Sequence, residues 1–288
     1  MTETSGAMLT PHKAAFHLTT VLNMYNVAHS TARFPVDVPN LAKHCHEFFH
    51  WDDAIEKVVG ADIDNFEGCL ARIDDDRGWA ILYNTSIQSS GRVRFTQAHE
   101  LGHYVLHRKV RSLFECTSED MYAWQSDERK IESEADVFAA NLLMPLDDFR
   151  EQISGPVTFG QLSLCAERYD VSLTAAALRW VSATDRKLVL IASNDGYVRW
   201  SNSSDAAFKG GAFFRSRRDL VEVPLESLTA DVTVTRELEG VLVPAKIWFP
   251  NARTGTKIRE MKIDSEQYGA LTLLELPSTE DVWAPWSP

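Results

Sequence analysis

Residues 95–108, with the sequence FTQAHELGHYVLHR, constrain this chain more than any other stretch. They contain His99, Glu100 and His103 in the order HExxH. Residues four apart in a helix lie one turn apart on the same face, so the two imidazoles point at one metal ion. In this pattern the histidines bind zinc and the glutamate acts as a general base. The segment therefore predicts a helix that carries two metal ligands.

The residues around the motif predict that this helix also packs into a core. Apolar residues repeat at helical spacing along its other side. They are Ala98, Leu101, Gly102, Val105 and Leu106. Gly102 lowers helix propensity by about 1 kcal/mol relative to alanine, which indicates that another element packs closely against it. The alternative is a helix that carries two histidines without a metal.

A catalytic zinc site needs a third protein ligand and an open position. His107 continues the four-residue spacing, but it lies about 12 Å along the helix axis from His99, since each residue rises 1.5 Å. The two residues therefore cannot bind one ion, and His107 is instead placed near the helix end, where the dipole favours a cation. Lys109 stands where a metzincin has its third histidine, which excludes that class.

The next helical segment, residues 131–145 with the sequence IESEADVFAANLLMP, supplies the missing ligand. Glu132 and Asp136 lie one turn apart on the same face. Glu132 is the predicted third ligand, and Asp136 is predicted to orient a ligating histidine from behind. Glu134 points away from that face and is the alternative ligand. Two histidines and one glutamate form the thermolysin-like ligand set.

The two motifs together resemble the ImmA/IrrE family of zinc metallopeptidases. The likeness covers residues 94–107 and 132–145. By that resemblance the metal ligands are His99, His103 and Glu132, the base is Glu100, and Asp136 replaces an asparagine. The resemblance implies a zincin-like fold and a peptidase activity. Zinc is the implied metal, with manganese as the alternative.

The resemblance also implies a substrate. Members of this family typically cleave a helix-turn-helix repressor and so derepress a phage, mobile-element or stress operon. The competing hypothesis is a DNA-binding or ligand-sensing regulator with a structural metal site. An intact Glu100 argues against that hypothesis, since a structural site needs no base.

The segment between the two motif helices, residues 109–130, is polar and long for a loop without structure of its own. We therefore predict a functional flap. Tyr122 precedes Glu132 by about the interval at which thermolysin-like enzymes place a tyrosine that stabilises the oxyanion. The alternative role for Tyr122 is that of an aromatic packing residue.

Before the HExxH helix, the pattern predicts helices over residues 12–28 and from Asn40 onward. Two strands are predicted over residues 68–73 and 79–84, joined by an Asp-rich turn. This order of helices and strands favours an α+β peptidase domain over residues 1–150.

Residues 151–185 resemble a helix-turn-helix, with the second helix over residues 173–181. That helix offers mostly Ala, Leu and Trp, whereas a DNA reader presents Arg, Asn or Gln to the bases. We interpret it as a packing unit. Residues 186–288 form a predicted β-rich domain, because several short apolar runs follow one another and Asn194-Asp195-Gly196 separates two of them as a hairpin turn. By resemblance to some family members this domain is a GAF-like sensor.

Composition narrows the other possibilities. The net charge of −12 is unfavourable for direct binding to nucleic acid. The sequence has neither a run of eighteen apolar residues nor a signal-peptide pattern, so no membrane partner and a cytoplasmic location are predicted. The four cysteines lack CxxC spacing and are interpreted as buried thiols in a reducing compartment.

Overall fold

The structure is a computed structural model that describes residues 9–62, 66–73, 78–116, 126–265, 269–278 and 282–283. Its helices are α1 (Pro11–His29), α2 (Val38–Phe49), α3 (Ser90–His107), α4 (Ser126–Leu143), α5 (Leu146–Gln152), α6 (Phe159–Tyr169), α7 (Leu173–Ala183) and α8 (Asp205–Lys209). Its strands are β1 (Ile55–Ala61), β2 (Gly68–Arg72), β3 (Trp79–Asn84), β4 (Leu113–Cys116), β5 (Leu188–Asn194), β6 (Tyr197–Ser203), β7 (Arg236–Pro244), β8 (Lys257–Ser265) and β9 (Gly269–Glu275). The chain divides into a first unit, Met1–Phe149 with Glu167–Ser172, and a second unit, Arg150–Ala166 with Leu173–Pro288.

Polar side chains begin the first three helices. Thr10, Asp37 and Ser89 each accept a hydrogen bond from the backbone N–H three residues further on. This bond satisfies one of the donors that a helix start leaves without a partner. Because Asp37 provides the cap, α2 begins two residues earlier than the predicted start at Asn40. The predicted helix over residues 12–28 is confirmed as α1.

The first unit contains a four-stranded sheet in the order β1-β3-β2-β4. Strand β1 runs parallel to β3, while β2 is antiparallel to both β3 and β4. The two predicted strands are confirmed as β2 and β3, and the turn between them lies outside the described residues. Strands β1 and β4 are additions that the sequence analysis does not contain.

Part of the predicted functional flap, residues 109–130, has regular structure, because it contains strand β4 and the start of α4. Residues 113–116 of that segment pair with β2 and form one edge of the sheet. The backbone groups of these residues are therefore tied into a ladder. Residues 117–125 of the predicted flap lie outside the described residues.

Helix α3 is the central element of the first unit and is buried along most of its length. It packs on β2 and β3 on one side and contacts α4 on the other. Its apolar residues Leu101 and Tyr104 are fully buried, as are Leu70 and Ile81 on the sheet and Phe138 on α4. Each such side chain stabilises the fold by about 1.5–3 kcal/mol relative to leaving it exposed. This packing fixes α3 between the sheet and α4.

The second unit contains an antiparallel sheet in the order β6-β5-β9-β8-β7. The predicted hairpin is confirmed: β5 pairs with β6 across Asp195 and Gly196, which both have positive φ as a type I′ turn requires. Strand β8 is not predicted by the sequence analysis. Residues 245–247 form a short 3₁₀ helix.

Helix α7 packs against β5 and β6 in the second unit. Its apolar side chains Ala176, Ala177, Trp180 and Val181 are buried. This placement agrees with the interpretation of the helix as a packing unit. The α+β fold class is confirmed, whereas the division at residues 150 and 185 and the GAF-like assignment stay predictions. Among the described residues, no helix has the length and apolar character needed to cross a bilayer.

Candidate metal centre

The site is built where α3 and α4 approach each other. The approach is close because Gly102 lies between the two histidines of the motif and has no side chain. A Cβ atom at Gly102 would lie 3.0 Å from Cδ1 of Phe138 and 3.2 Å from the Cα atom of Ala135. The expectation that an element packs closely against Gly102 is therefore confirmed, and that element is α4.

Three side chains from these helices bring donor atoms together. His99 Nε2 lies 3.0 Å from Glu132 Oε2 and 3.0 Å from His103 Nε2. His103 Nε2 lies 3.5 Å from the same carboxylate oxygen. One donor atom from each residue lies within 4.8 Å of the other two. The three predicted metal ligands therefore meet at one point.

The donor set fits one divalent cation. Two imidazole nitrogens and one carboxylate are the protein ligands of one type of catalytic zinc site, in which water or substrate takes the fourth position. Burial lowers the pKa of His103 to about 4, so its ring is neutral and keeps a lone pair at neutral pH. Burial by itself raises the pKa of Glu132, but its interactions with His103 and His99 outweigh that effect and lower it. The carboxylate is therefore ionised and suited to a cation.

Asp136 lies behind His99, one helical turn from Glu132. Its Oδ1 atom lies 2.9 Å from His99 Nδ1. A hydrogen bond at Nδ1 holds the ring so that Nε2 faces the cluster, which is the usual arrangement behind a metal-ligating histidine. The side chain of Asp136 is 55% exposed, so this support lies on the solvent side of the site.

His107 and Glu134 form a second group next to the cluster. His107 Nδ1 lies 3.2 Å from His103 Nδ1, and His107 Nε2 lies 3.0 Å from Glu134 Oε2. His107 is in the last turn of α3, as expected, but it is buried and bonded rather than a cation at an open helix end. Burial lowers its pKa. Glu134, the alternative ligand, contacts His107 and is not part of the three-residue group.

Glu100 is fully buried on α3, one residue after His99. Strand β2 passes close to it because residue 68 is a glycine. A Cβ atom at Gly68 would lie 2.9 Å from Glu100 Oε1 and would overlap the Thr96 methyl group. The strand therefore leaves the space that the Glu100 carboxylate occupies. Gly68 is a residue that the sequence analysis does not single out.

Tyr122, the predicted oxyanion-stabilising residue, lies outside the described residues. The sequence analysis also misses Phe114 on β4, whose ring stacks on His103 with centroids 4.7 Å apart. No local signal marks Phe114, since its role depends on the pairing of β4 with β2. His107 did carry a signal, because it stands four residues after His103 and thus on the same helical face.

A comparison with protein families finds a match for the part of the chain that contains this site. The family model described as the IrrE N-terminal-like domain matches residues 53–181. Residues 53–181 of the chain are therefore similar to the IrrE N-terminal-like domain. The comparison with curated proteins gives no match.

The matched range includes α3 and α4 and ends within α7. The family is one of metallopeptidases of the IrrE/ImmA type, so the resemblance drawn from the two motifs is confirmed. A metal group of His99, His103 and Glu132 lies inside the matched range. Strands β5 to β9 lie outside the matched range.

Proposed function

We propose that this chain is a zinc-dependent endopeptidase that cleaves a helix-turn-helix transcriptional repressor and so derepresses a phage, mobile-element or stress operon. The observation that carries the peptidase activity is the meeting of His99, His103 and Glu132 next to a buried Glu100. The choice of a repressor as substrate rests on the likeness to IrrE/ImmA peptidases.

The proposed roles follow from the positions of the side chains. When bound, zinc supplies a Lewis acid that polarises the scissile carbonyl and makes water a better nucleophile. Glu100 accepts the proton of the attacking water and passes it to the leaving amine. Asp136 keeps the His99 ring oriented during this cycle. The role of Tyr122 at the oxyanion stays a prediction.

Strand β4 is the proposed docking edge for the substrate. Strands β2 and β3 are paired on both sides, whereas β4 and β1 are the edges of the sheet. Of these two edges, β4 lies beside the metal ligands, because its residue Phe114 stacks on His103. An extended substrate segment that pairs with β4 gains main-chain hydrogen bonds next to the site.

The partner is proposed to be a protein rather than nucleic acid. A net charge of −12 opposes the phosphate contacts that dominate DNA binding. In addition, α7 directs its apolar side chains into the second unit instead of presenting base-reading groups. We therefore propose that the chain acts in the cytoplasm on a repressor without binding the operator itself.

The test compares the wild-type protein with Glu100→Gln. Both proteins are loaded with zinc and incubated with the helix-turn-helix repressor whose gene lies nearest to the gene of this protein. The cleavage fragments are followed by gel electrophoresis and mass spectrometry. Glu100→Gln keeps the shape and the metal but cannot transfer a proton, so cleavage should fall by about 10²- to 10⁴-fold. Glu151→Gln, at an exposed position on α5, is the matched control and should cleave normally. Equal cleavage by wild type and Glu100→Gln would show that Glu100 is not the general base.

A further inference from the structure

We infer that His107 and Glu134 are positioning residues that hold the ligand His103 through a chain of hydrogen bonds. The inference rests on the proposed function only in that His103 binds a metal. It assigns a task to two residues that lie outside the three-residue ligand group. The task is to set the rotation of one ring and the nitrogen that carries its proton.

The chain of contacts runs from the cluster outward. His103 is fully buried, and its Nδ1 atom lies 3.2 Å from His107 Nδ1. The opposite nitrogen of His107 lies 3.0 Å from Glu134 Oε2. The His107 side chain is only 6% exposed, so water does not compete freely for these bonds. The two rings and one carboxylate thus form a continuous path from α3 to α4.

The chemistry of the cluster fixes the direction of these bonds. His103 Nε2 faces His99 and Glu132, so its lone pair is the one available to a metal. The proton of His103 therefore resides on Nδ1 and is donated to His107 Nδ1. Since that nitrogen accepts, the proton of His107 resides on Nε2 and is donated to Glu134. Each nitrogen has one role, and the chain ends on a carboxylate.

The ring of His103 is held by a second contact as well. Phe114 stacks on it with an interplanar angle of 17° and a centroid distance of 4.7 Å. The stacking restricts the ring plane, and the bond to His107 restricts rotation within that plane. Together these contacts leave Nε2 in one position. The ring of His99 is oriented by one direct hydrogen bond to Asp136.

A purely structural explanation is also available for Glu134. Its Oε1 atom lies 3.9 Å from Lys130 Nζ, one turn earlier on α4, which is a pair that stabilises a helix. If this pair explained the presence of Glu134, removing Lys130 would reproduce the loss of Glu134. The positioning role predicts that removing Lys130 has little effect on metal binding. Lys130→Ala is therefore the matched control.

The experiment measures the zinc affinity of the metal-free full chain in competition with a chromophoric chelator. His107→Phe keeps a buried aromatic ring but removes the acceptor for His103, and Glu134→Ala removes the end of the chain. Each should weaken zinc binding by about 10- to 100-fold, the range found for partners of metal-ligating histidines. His107→Asn returns an acceptor near the position of Nδ1 and should recover a large part of the affinity. Lys130→Ala should bind zinc as the wild type does.

Spectra of the cobalt-substituted proteins provide a reading that does not depend on stability. A turned His103 ring changes the ligand field, so His107→Phe should shift the visible bands, and His107→Asn should restore them. Melting of the metal-free proteins shows which variants are folded. A folded His107→Phe with wild-type zinc affinity and wild-type cobalt bands would overturn the inference.

The outcome separates this inference from the proposed function, because no substrate is present. If the wild type itself binds no zinc, both are wrong. If the wild type binds zinc tightly and the His107 and Glu134 variants bind equally well, only the positioning role is wrong. If the variants rank as expected but no repressor is cleaved, the positioning role stands and the peptidase proposal is wrong.

Discussion

Glu100 and Glu260 are both fully buried glutamates, one in each unit of the chain, but their surroundings differ. Glu260, on β8, accepts hydrogen bonds on Oε1 from both the backbone N–H and the hydroxyl group of Thr229. Those donors are held in place by a short 3₁₀ helix. Glu100 lies against a glycine, next to side chains whose donor atoms meet at the candidate metal centre.

The difference shows that burial alone does not identify a catalytic carboxylate. In the second unit, polar groups inside the fold pair with one another: Lys262 donates to the Asp231 carbonyl group and forms an ion pair with Asp264. In the first unit, the lone pairs of His99 and His103 converge on one point. A buried carboxylate beside converging lone pairs is suited to chemistry, whereas one bonded to fixed donors stabilises a fold.

Among the variants that test the contrast between Glu100 and Glu260, the largest effect is expected from Gly68→Ala. The added methyl group would contact Glu100 Oε1 and displace the carboxylate, and a misplacement of about 1 Å costs on the order of 10²-fold in rate. Repressor cleavage per zinc-loaded molecule is the measurement, and zinc content should stay normal because none of the three proposed ligands is among the nearest neighbours of the added atom. The control is Gly155→Ala, where nothing lies near the added atom.

Gly68→Ala also meets the methyl group of Thr96, which can reduce stability without involving Glu100. Combining it with Thr96→Ser removes that overlap and leaves only the contact with Glu100. The double variant should be more stable than Gly68→Ala and still inactive. Full cleavage by the zinc-loaded double variant would show that the space at Gly68 does not position Glu100.

A smaller effect is expected from a change at Asp148, a buried carboxylate in the first unit. Because it is bonded to fixed donors, Asp148 is expected to stabilise the fold. It accepts hydrogen bonds from Arg168 at 2.6 and 2.8 Å and from the Tyr169 hydroxyl group. Burial by itself raises the pKa of Asp148, but these bonds outweigh that effect and lower it. Asp148→Asn should cost about 1.5–3 kcal/mol in free energy of unfolding at neutral pH, as for hydrogen bonds to charged groups.

The pH dependence tests the sign of this contribution. Because the folded-state pKa of Asp148 lies below its unfolded value of about 3.9, its stabilisation is fully present above about pH 4 and is lost as the pH falls through the lowered pKa. Urea midpoints of wild type and Asp148→Asn should therefore differ at pH 7 and approach each other in acid. A gap that grows below pH 4 would contradict the assignment.

The smallest effect is expected from Thr229→Val in the second unit. The change keeps the shape and removes one of the two donors to Glu260, which should cost about 1 kcal/mol in free energy of unfolding. Zinc affinity and cleavage by the folded protein should remain at wild-type values. A loss of zinc in this variant would mean that the interior polar groups of the second unit also serve the metal centre.

The parts of the site that the sequence predicts are those set by helical spacing. His99 and His103 lie four residues apart, as do Glu132 and Asp136, so the pattern alone orients both pairs once each helix forms. The hairpin at Asn194-Asp195-Gly196 is predictable for a similar reason, since its turn residues dictate the pairing locally.

The parts that the sequence does not predict depend on partners distant in the chain. Strand β8 escapes notice because Glu260 and Lys262 occupy buried positions and hide the alternation of apolar residues. The contact between His107 and Glu134 is a second example. It depends on how α4 packs on α3, which no spacing within α3 reveals.

A metal ion held by His99, His103 and Glu132 would link two helices, because these residues come from both α3 and α4, which approach closely at Gly102. Glu132 and Asp136 are both on α4, so a wider gap between α3 and α4 would withdraw one ligand and the support of another at the same time. A bulky side chain in place of Gly102 would therefore weaken metal binding by increasing the distance between α3 and α4. By thermodynamic reciprocity, an ion that binds only the closed arrangement resists that opening with the free energy of its own binding. The concentration of available metal would then set how strongly the packing of α3 on α4 in the first unit resists opening.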